Sequence, residues 1–175
     1  MLRSIARESI AHALDHGAPL PVDTDDLPDW LREPRATFVT LEKNGELRGC
    51  IGTLDAQYSL AEDVAQHAHA AAFRDPRFPP VTKEEWPELE YHISVLSAPE
   101  PLSFTSETDL LNQLRPGVDG LIIEEGRARA TFLPQVWEDV SDPIDFLRHL
   151  KVKAGLPPEY WSDAIRAWRY TAERV

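Results

Sequence analysis

"ATFVTLEKNGELRGCIGTL", residues 36–54, decides the fold class. Phe38, Thr40 and Glu42 alternate with Val39 and Leu41, the two-residue period of a strand with one buried face. Asn44-Gly45 follows, and both residues tolerate the positive φ that a tight hairpin turn requires. Residues 47–53 are therefore expected as the returning strand. On a regular strand, Arg48 and Cys50 share a face. Gly49 and Gly52 weaken a strand unless a bulge or a close approach needs them.

Outward from this hairpin, helices and strands are interspersed. Leu2, Ile5, Ala6, Ile10, Ala13 and Leu14 recur at helical spacing, and Gly17 is placed to end that helix. Residues 18–35 carry Pro19, Pro21, Pro28 and Pro34 and read as a surface loop, with a turn of helix at 27–31. Ser59 and Glu62 form a capping-box signature for a small-residue helix reaching about Phe73. "DPRFPP", residues 75–80, cannot continue it. In "LEYHISVLS", Leu89, Tyr91, Ile93 and Val95 take one face and Glu90, His92 and Ser94 the other.

Ser106 with Asp109 starts another short helix, ending before Pro116-Gly117. Residues 119–134 read as a second hairpin turning at Glu125-Gly126. A linker then leads to Ser141 or Asp142, a cap before Pro143. Phe146, Leu147, Leu150 and Ala154 form a helical stripe that Gly155 stops. Trp161, Ile165 and Trp168 also have helical spacing, and the chain turns strand-like around 168–171. Without the rhythm of a parallel sheet, this order predicts an α+β fold.

The 175 residues, 42% of them hydrophobic, suit one globular unit with room for two lobes. The formal charge of −12 opposes nucleic acid and anionic membrane as main partners. A single cysteine allows no internal disulfide and fits a reducing compartment. The first residues lack the apolar core of a signal peptide, and no apolar run approaches the ~20 residues of a membrane span. A cytoplasmic location is expected.

Cys50 is the candidate nucleophile, with Arg48 as a cation that would favour the thiolate. The opposing reading is a small buried hydrophobe. His92, on the polar face of its strand, is the candidate base; a solvent-facing histidine is the commoner case. Asp75 and Arg77 could clamp an anion from a rigid loop, or form an Asp-Pro turn whose arginine pairs with a neighbouring acid. Gln135, Lys151 and Lys153 are single polar residues that carry nothing by themselves. His67 and His69 point to different helical faces, and His12 and His16 lack a third ligand, so no metal set is expected. No phosphate-loop pattern occurs.

Six collinear stretches carry a resemblance: "LRGCIGT" at 47–53, "AAFRDPRFPPVT" at 71–82, "ISVLSAPEPL" at 93–102, "GVDGLIIEEG" at 117–126, "FLPQVW" at 132–137 and "FLRHLKVKAGL" at 146–156. Together, over roughly residues 2–172, they resemble the AMMECR domain family, of the AmmeMemoRadiSam system protein A type. The resemblance implies one AMMECR-type domain over 1–175, built as two intertwined lobes with a cleft between them. It implies a larger antiparallel sheet flanked by helices and a smaller lobe. Carried over residue by residue, it places Arg48, Cys50, Asp75, Arg77, Gln135 and Lys153 at the cleft, with Gly49 and Gly52 shaping the backbone. It names no established reaction and no cofactor. It also implies Memo-type and radical SAM proteins as partners.

Two functions follow. In one, the chain is an enzyme or enzyme component acting on a small molecule or a modified residue. There Cys50, Arg48 and Lys153 are catalytic, and Gly49, Gly52, Asp75, Arg77 and Gln135 bind substrate. In the other it is a non-catalytic module that binds a ligand or those partners.

Overall fold

The opening hairpin forms as its turn residues dictate. β1 (Thr37–Lys43) and β2 (Glu46–Gly52) pair antiparallel. Between them Asn44 and Gly45 both take positive φ, 54° and 77°. In the computed structural model, which describes all of residues 1–175, the chain divides into two units: Met1–Leu96 with Glu173–Val175, and Ser97–Ala172.

The first unit has a four-stranded sheet in the order β2-β1-β3-β8, with β3 at Leu89–Leu96 and β8 at Ala172–Arg174. Val39 lies opposite Ile51 on one side and Ile93 on the other, so all three share a face. That face is covered by α1 (Leu2–His16) and α3 (Leu60–Phe73). Leu2, Ala6 and Ile10 of α1 and Val64, Ala68, Ala71 and Ala72 of α3 complete the core. Burying a side chain the size of Ile93 or Leu41 contributes about 1.5–3 kcal/mol. The caps are those the sequence promises. Gly17 is left-handed at φ 72° and returns its N–H to Ala13 O, and Ser59 and Glu62 close a reciprocal capping box. A one-turn helix α2 (Asp29–Arg32) buries Leu31 in the proline-rich loop, two residues later than the spacing suggests.

The second unit holds β4 (Glu100–Leu102), α4 (Glu107–Gln113), β5 (Gly120–Glu125), β6 (Ala128–Phe132), α5 (Pro143–Lys153) and β7 (Arg166–Tyr170). Its sheet runs β4-β7-β5-β6. Leu110, Leu121, Ile123, Phe146, Leu147 and Leu150 fill the core, where the rings of Trp137 and Phe146 stack at 3.7 Å between centroids. The pairings β1–β2, β1–β3, β4–β7, β5–β6 and β5–β7 are all antiparallel, and the fold is α+β as the sequence predicts.

Three local expectations change. The helical spacing of Trp161, Ile165 and Trp168 forms no helix: Trp168 sits inside β7, between Pro101 of β4 and Ile122 of β5. Pro157 and Pro158 exclude a helix just upstream, and two flanking strands offer β7 its hydrogen bonds. The stretch before Pro143 contains a short 3-10 helix, Pro134–Glu138, that buries Trp137. The three-residue strands β4 and β8 are too short to show a period.

Candidate functional site at the edge of the first sheet

Cys50 lies opposite Thr40, which lies opposite His92 in turn. Val39 and Leu41, the neighbours of Thr40, face the helices, so Cys50, Thr40 and His92 project from the other face of the sheet. The Thr40 hydroxyl donates to Cys50 Sγ at 3.3 Å, and the cysteine is only partly buried. His92 stands two strands from Cys50, roughly 9–10 Å at the backbone. Thr40 is the neighbour that residue-by-residue reading missed. The strand register is the signal that identifies it.

β2 is an edge strand, and its outward backbone groups at Cys50 need partners. The loop after α3 supplies them. Asp75 Oδ2 accepts the Cys50 N–H at 2.9 Å, and Arg77 Nη2 donates to the Cys50 carbonyl at 3.4 Å. The two side chains are also joined, Arg77 Nε to Asp75 Oδ1 at 2.9 Å and Nη2 to Oδ2 at 2.7 Å. The Arg77 N–H adds a third donor to Oδ1 at 3.0 Å. Asp75 is thus a buried carboxylate with every lone-pair direction served, and the half-exposed Arg77 forms its bidentate partner. The Arg77 guanidinium, helped by the two backbone N–H groups, holds the Asp75 carboxyl well below the usual range against the opposing effect of burial. Arg77 is raised in return, chiefly by its hydrogen bond to Asp75.

Arg48 follows a different path. Leu41 faces Gly49 but Glu42 faces Leu47, so a bulge at Arg48 interrupts the alternation. Its guanidinium binds Glu85 through Nε at 2.6 Å and Nη2 at 3.0 Å, and the Pro79 carbonyl at 2.8 Å. The Arg48 hydrogen bond lowers the Glu85 carboxyl. Arg48 and Arg77 both lie over the ring of Phe78, at 5.7 and 5.5 Å. The buried Arg48 Nη1 has no hydrogen-bond partner.

The two glycines serve packing. A Cβ on Gly49 would lie 2.2 Å from the Ala71 carbonyl oxygen of α3, and one on Gly52 would lie 2.4 Å from both the Phe38 ring and the Thr37 oxygen. They admit a helix and a ring where a ligand approach was expected.

Gln135 and Lys153 belong to the second unit. Gln135 is exposed on the 3-10 helix. Lys153 ends α5, donates to the Thr131 carbonyl at 2.9 Å and stands 5.2 Å over the ring of Phe132. Lys151, which the sequence left without a role, is almost fully buried with its ammonium on Glu107 and over Trp161.

Two other histidine arrangements were opaque to sequence. His67 Nδ1 meets the buried Asp63 carboxylate at 3.0 Å, while His69 is buried against Phe73 and burial lowers its pKa. Glu42, Glu90 and His92 bring one donor atom each within 4.8 Å of one another. No helix is long and apolar enough to cross a membrane.

Comparison with known proteins agrees with this architecture. A crystal structure of an uncharacterised protein from Pyrococcus horikoshii superposes with a TM-score of 0.91 at 36% identity, covering 99% of this chain and 88% of that one. A protein from Methanothermobacter thermautotrophicus is 44% identical over 174 residues, 98% of this chain and 90% of its own length. One from Thermotoga maritima is 41% identical over 153 residues, 86% of this chain and 83% of its own. The AMMECR1 family description itself matches residues 3–175, and with relatives this similar over nearly the whole length, the chain belongs to the AMMECR1 family.

Proposed function

We propose that this chain is an enzyme or enzyme component whose chemistry centres on the Cys50 thiol, acting on a small molecule or a modified residue. The observation that carries the reading is the position of Sγ. A cysteine used only as a small apolar filler would face Val39 and Ile93; this one faces away from them and receives the Thr40 hydroxyl. A hydroxyl donor stabilises a thiolate, the form that acts as a nucleophile. Arg77, partly exposed beside the Cys50 carbonyl, supplies a positive charge for an anionic reactant.

A second reading has an observation of its own. Arg48, Asp75 and Arg77 are engaged with Glu85, with one another and with backbone, and Gly49 and Gly52 are required for packing. A non-catalytic module that binds a ligand, or the Memo-type and radical SAM proteins, would use these residues as scaffold.

Labelling with a thiol reagent at neutral pH, read by mass spectrometry on the Cys50 peptide, separates the two. The enzyme reading predicts that the native protein is labelled at least as fast as free cysteine and that Thr40→Val slows it. Labelling that begins only when the protein unfolds removes the nucleophile and leaves the module.

A further inference from the structure

We infer that Glu42, Glu90 and His92 form a binding site for a divalent transition-metal ion on the non-core face of the first sheet. The inference does not rest on the chemistry proposed for Cys50. Glu42 and Glu90 are direct cross-strand partners on β1 and β3. Two carboxylates held opposite each other repel, a placement that destabilises a sheet unless a cation lies between them. They cannot slip apart, because moving the register by one residue would turn Leu41, Tyr91 and Ile93 out of the core.

The cationic side chain next in sequence is not available to them. Lys43 is turned to Glu85 and Glu88, at 3.9 and 3.5 Å. Glu42 instead meets His92, Nε2 to Oε2 at 3.2 Å, and both side chains are about three-quarters buried. The imidazole distinguishes this set from a solvated acidic patch. Two carboxylates alone suit a hard ion such as Mg2+, which keeps most of its water. A neutral imidazole nitrogen with two carboxylate oxygens suits Zn2+ and its neighbours, which accept both ligand types at about 2.0–2.2 Å. Donor atoms within 4.8 Å of one another would have to draw in to about 3.3–3.6 Å to share one ion at that bond length. Three ligands on one open face leave the remaining coordination positions to water or substrate.

Isothermal titration calorimetry of the full chain with Zn2+, and separately with Mg2+, tests the site, with Co2+ absorption as a spectroscopic readout of coordination. One Zn2+ per chain is expected, bound more tightly than Mg2+. His92→Ala, Glu42→Gln and Glu90→Gln should each weaken it by roughly tenfold or more, since loss of an outer-shell partner alone costs 10–100-fold. Cys50→Ser should bind as the unaltered protein does. Circular dichroism melting identifies a variant that fails to fold, and the Co2+ spectrum of the unaltered protein then decides alone. No Zn2+ uptake overturns the site. So does uptake that survives His92→Ala but is lost in His12→Ala, because the paired rings of His12 and His16 lie 4.4 Å apart on α1. Loss of uptake in Cys50→Ser overturns it as well.

Discussion

Asp75 shows how one side chain can close a sheet edge. Its carboxylate serves the Cys50 N–H and Arg77 together. Its folded pKa lies below the ordinary 3.8. The stabilisation is therefore complete above that value and is lost as pH falls through the folded pKa. Asp75→Asn should lower stability by about 2 kcal/mol at neutral pH, measured by urea midpoint. The difference from the unaltered protein should shrink below about pH 4. A difference that persists unchanged into acid would show that charge is not what Asp75 supplies. The sequence made the Asp-Pro turn legible, with its arginine paired to a neighbouring acid, but not that the acid is Asp75 itself. Its hold on Cys50 was not legible either, because the two residues are 25 positions apart and only tertiary closure joins them.

Among the elements, β2 and α3 approach until backbone meets backbone. Gly49→Ala forces a Cβ to 2.2 Å from the Ala71 carbonyl oxygen, which cannot move without displacing a helix. About 3 kcal/mol or more of destabilisation is expected, well above the usual range for a surface strand. Ala71→Gly should not rescue it, since the clash is with the carbonyl and not the side chain; thermal melting of the single and double variants checks both statements. At this scale the sequence was most readable. Period, turn and caps place α1, β1, β2, α3 and β3 with few errors, because each signal is local. In the tail the strand-like reading of 168–171 matches β7, but the helical one failed: Trp161, Ile165 and Trp168 satisfy a helical period while β4 and β5 provide a better use for Trp168. Arg48 failed for a related reason: a bulge breaks the period, and only the partner strand reveals it.

Over the whole molecule, the first unit is completed by residues from the far end of the chain. Ile93 and Val175 exchange both backbone hydrogen bonds, at 3.2 and 2.8 Å. Removing residues 173–175 should lower the stability of the first unit by about 1–2 kcal/mol, through two lost hydrogen bonds. Hydrogen exchange should localise the effect to β3, leaving the amides of β5 unchanged. Equal loss of protection in both units would mean that they unfold together. The α+β class and the six collinear stretches made this scale legible as a family resemblance. The return of β8 to β3 left no trace in sequence, since three residues carry no period.

That return also has a consequence for birth on the ribosome. Residues 97–172 are contiguous, but their sheet waits for β7, which pairs both β4 and β5. The strand that precedes them waits with one side of β3 bare until residues 172–175 emerge. For that interval the first unit presents an open, apolar-backed strand edge to the cell, the kind of surface on which nascent chains pair wrongly or recruit chaperones. Both sheets therefore wait on residues 166–174: β7 fills the interior of the second and β8 the edge of the first.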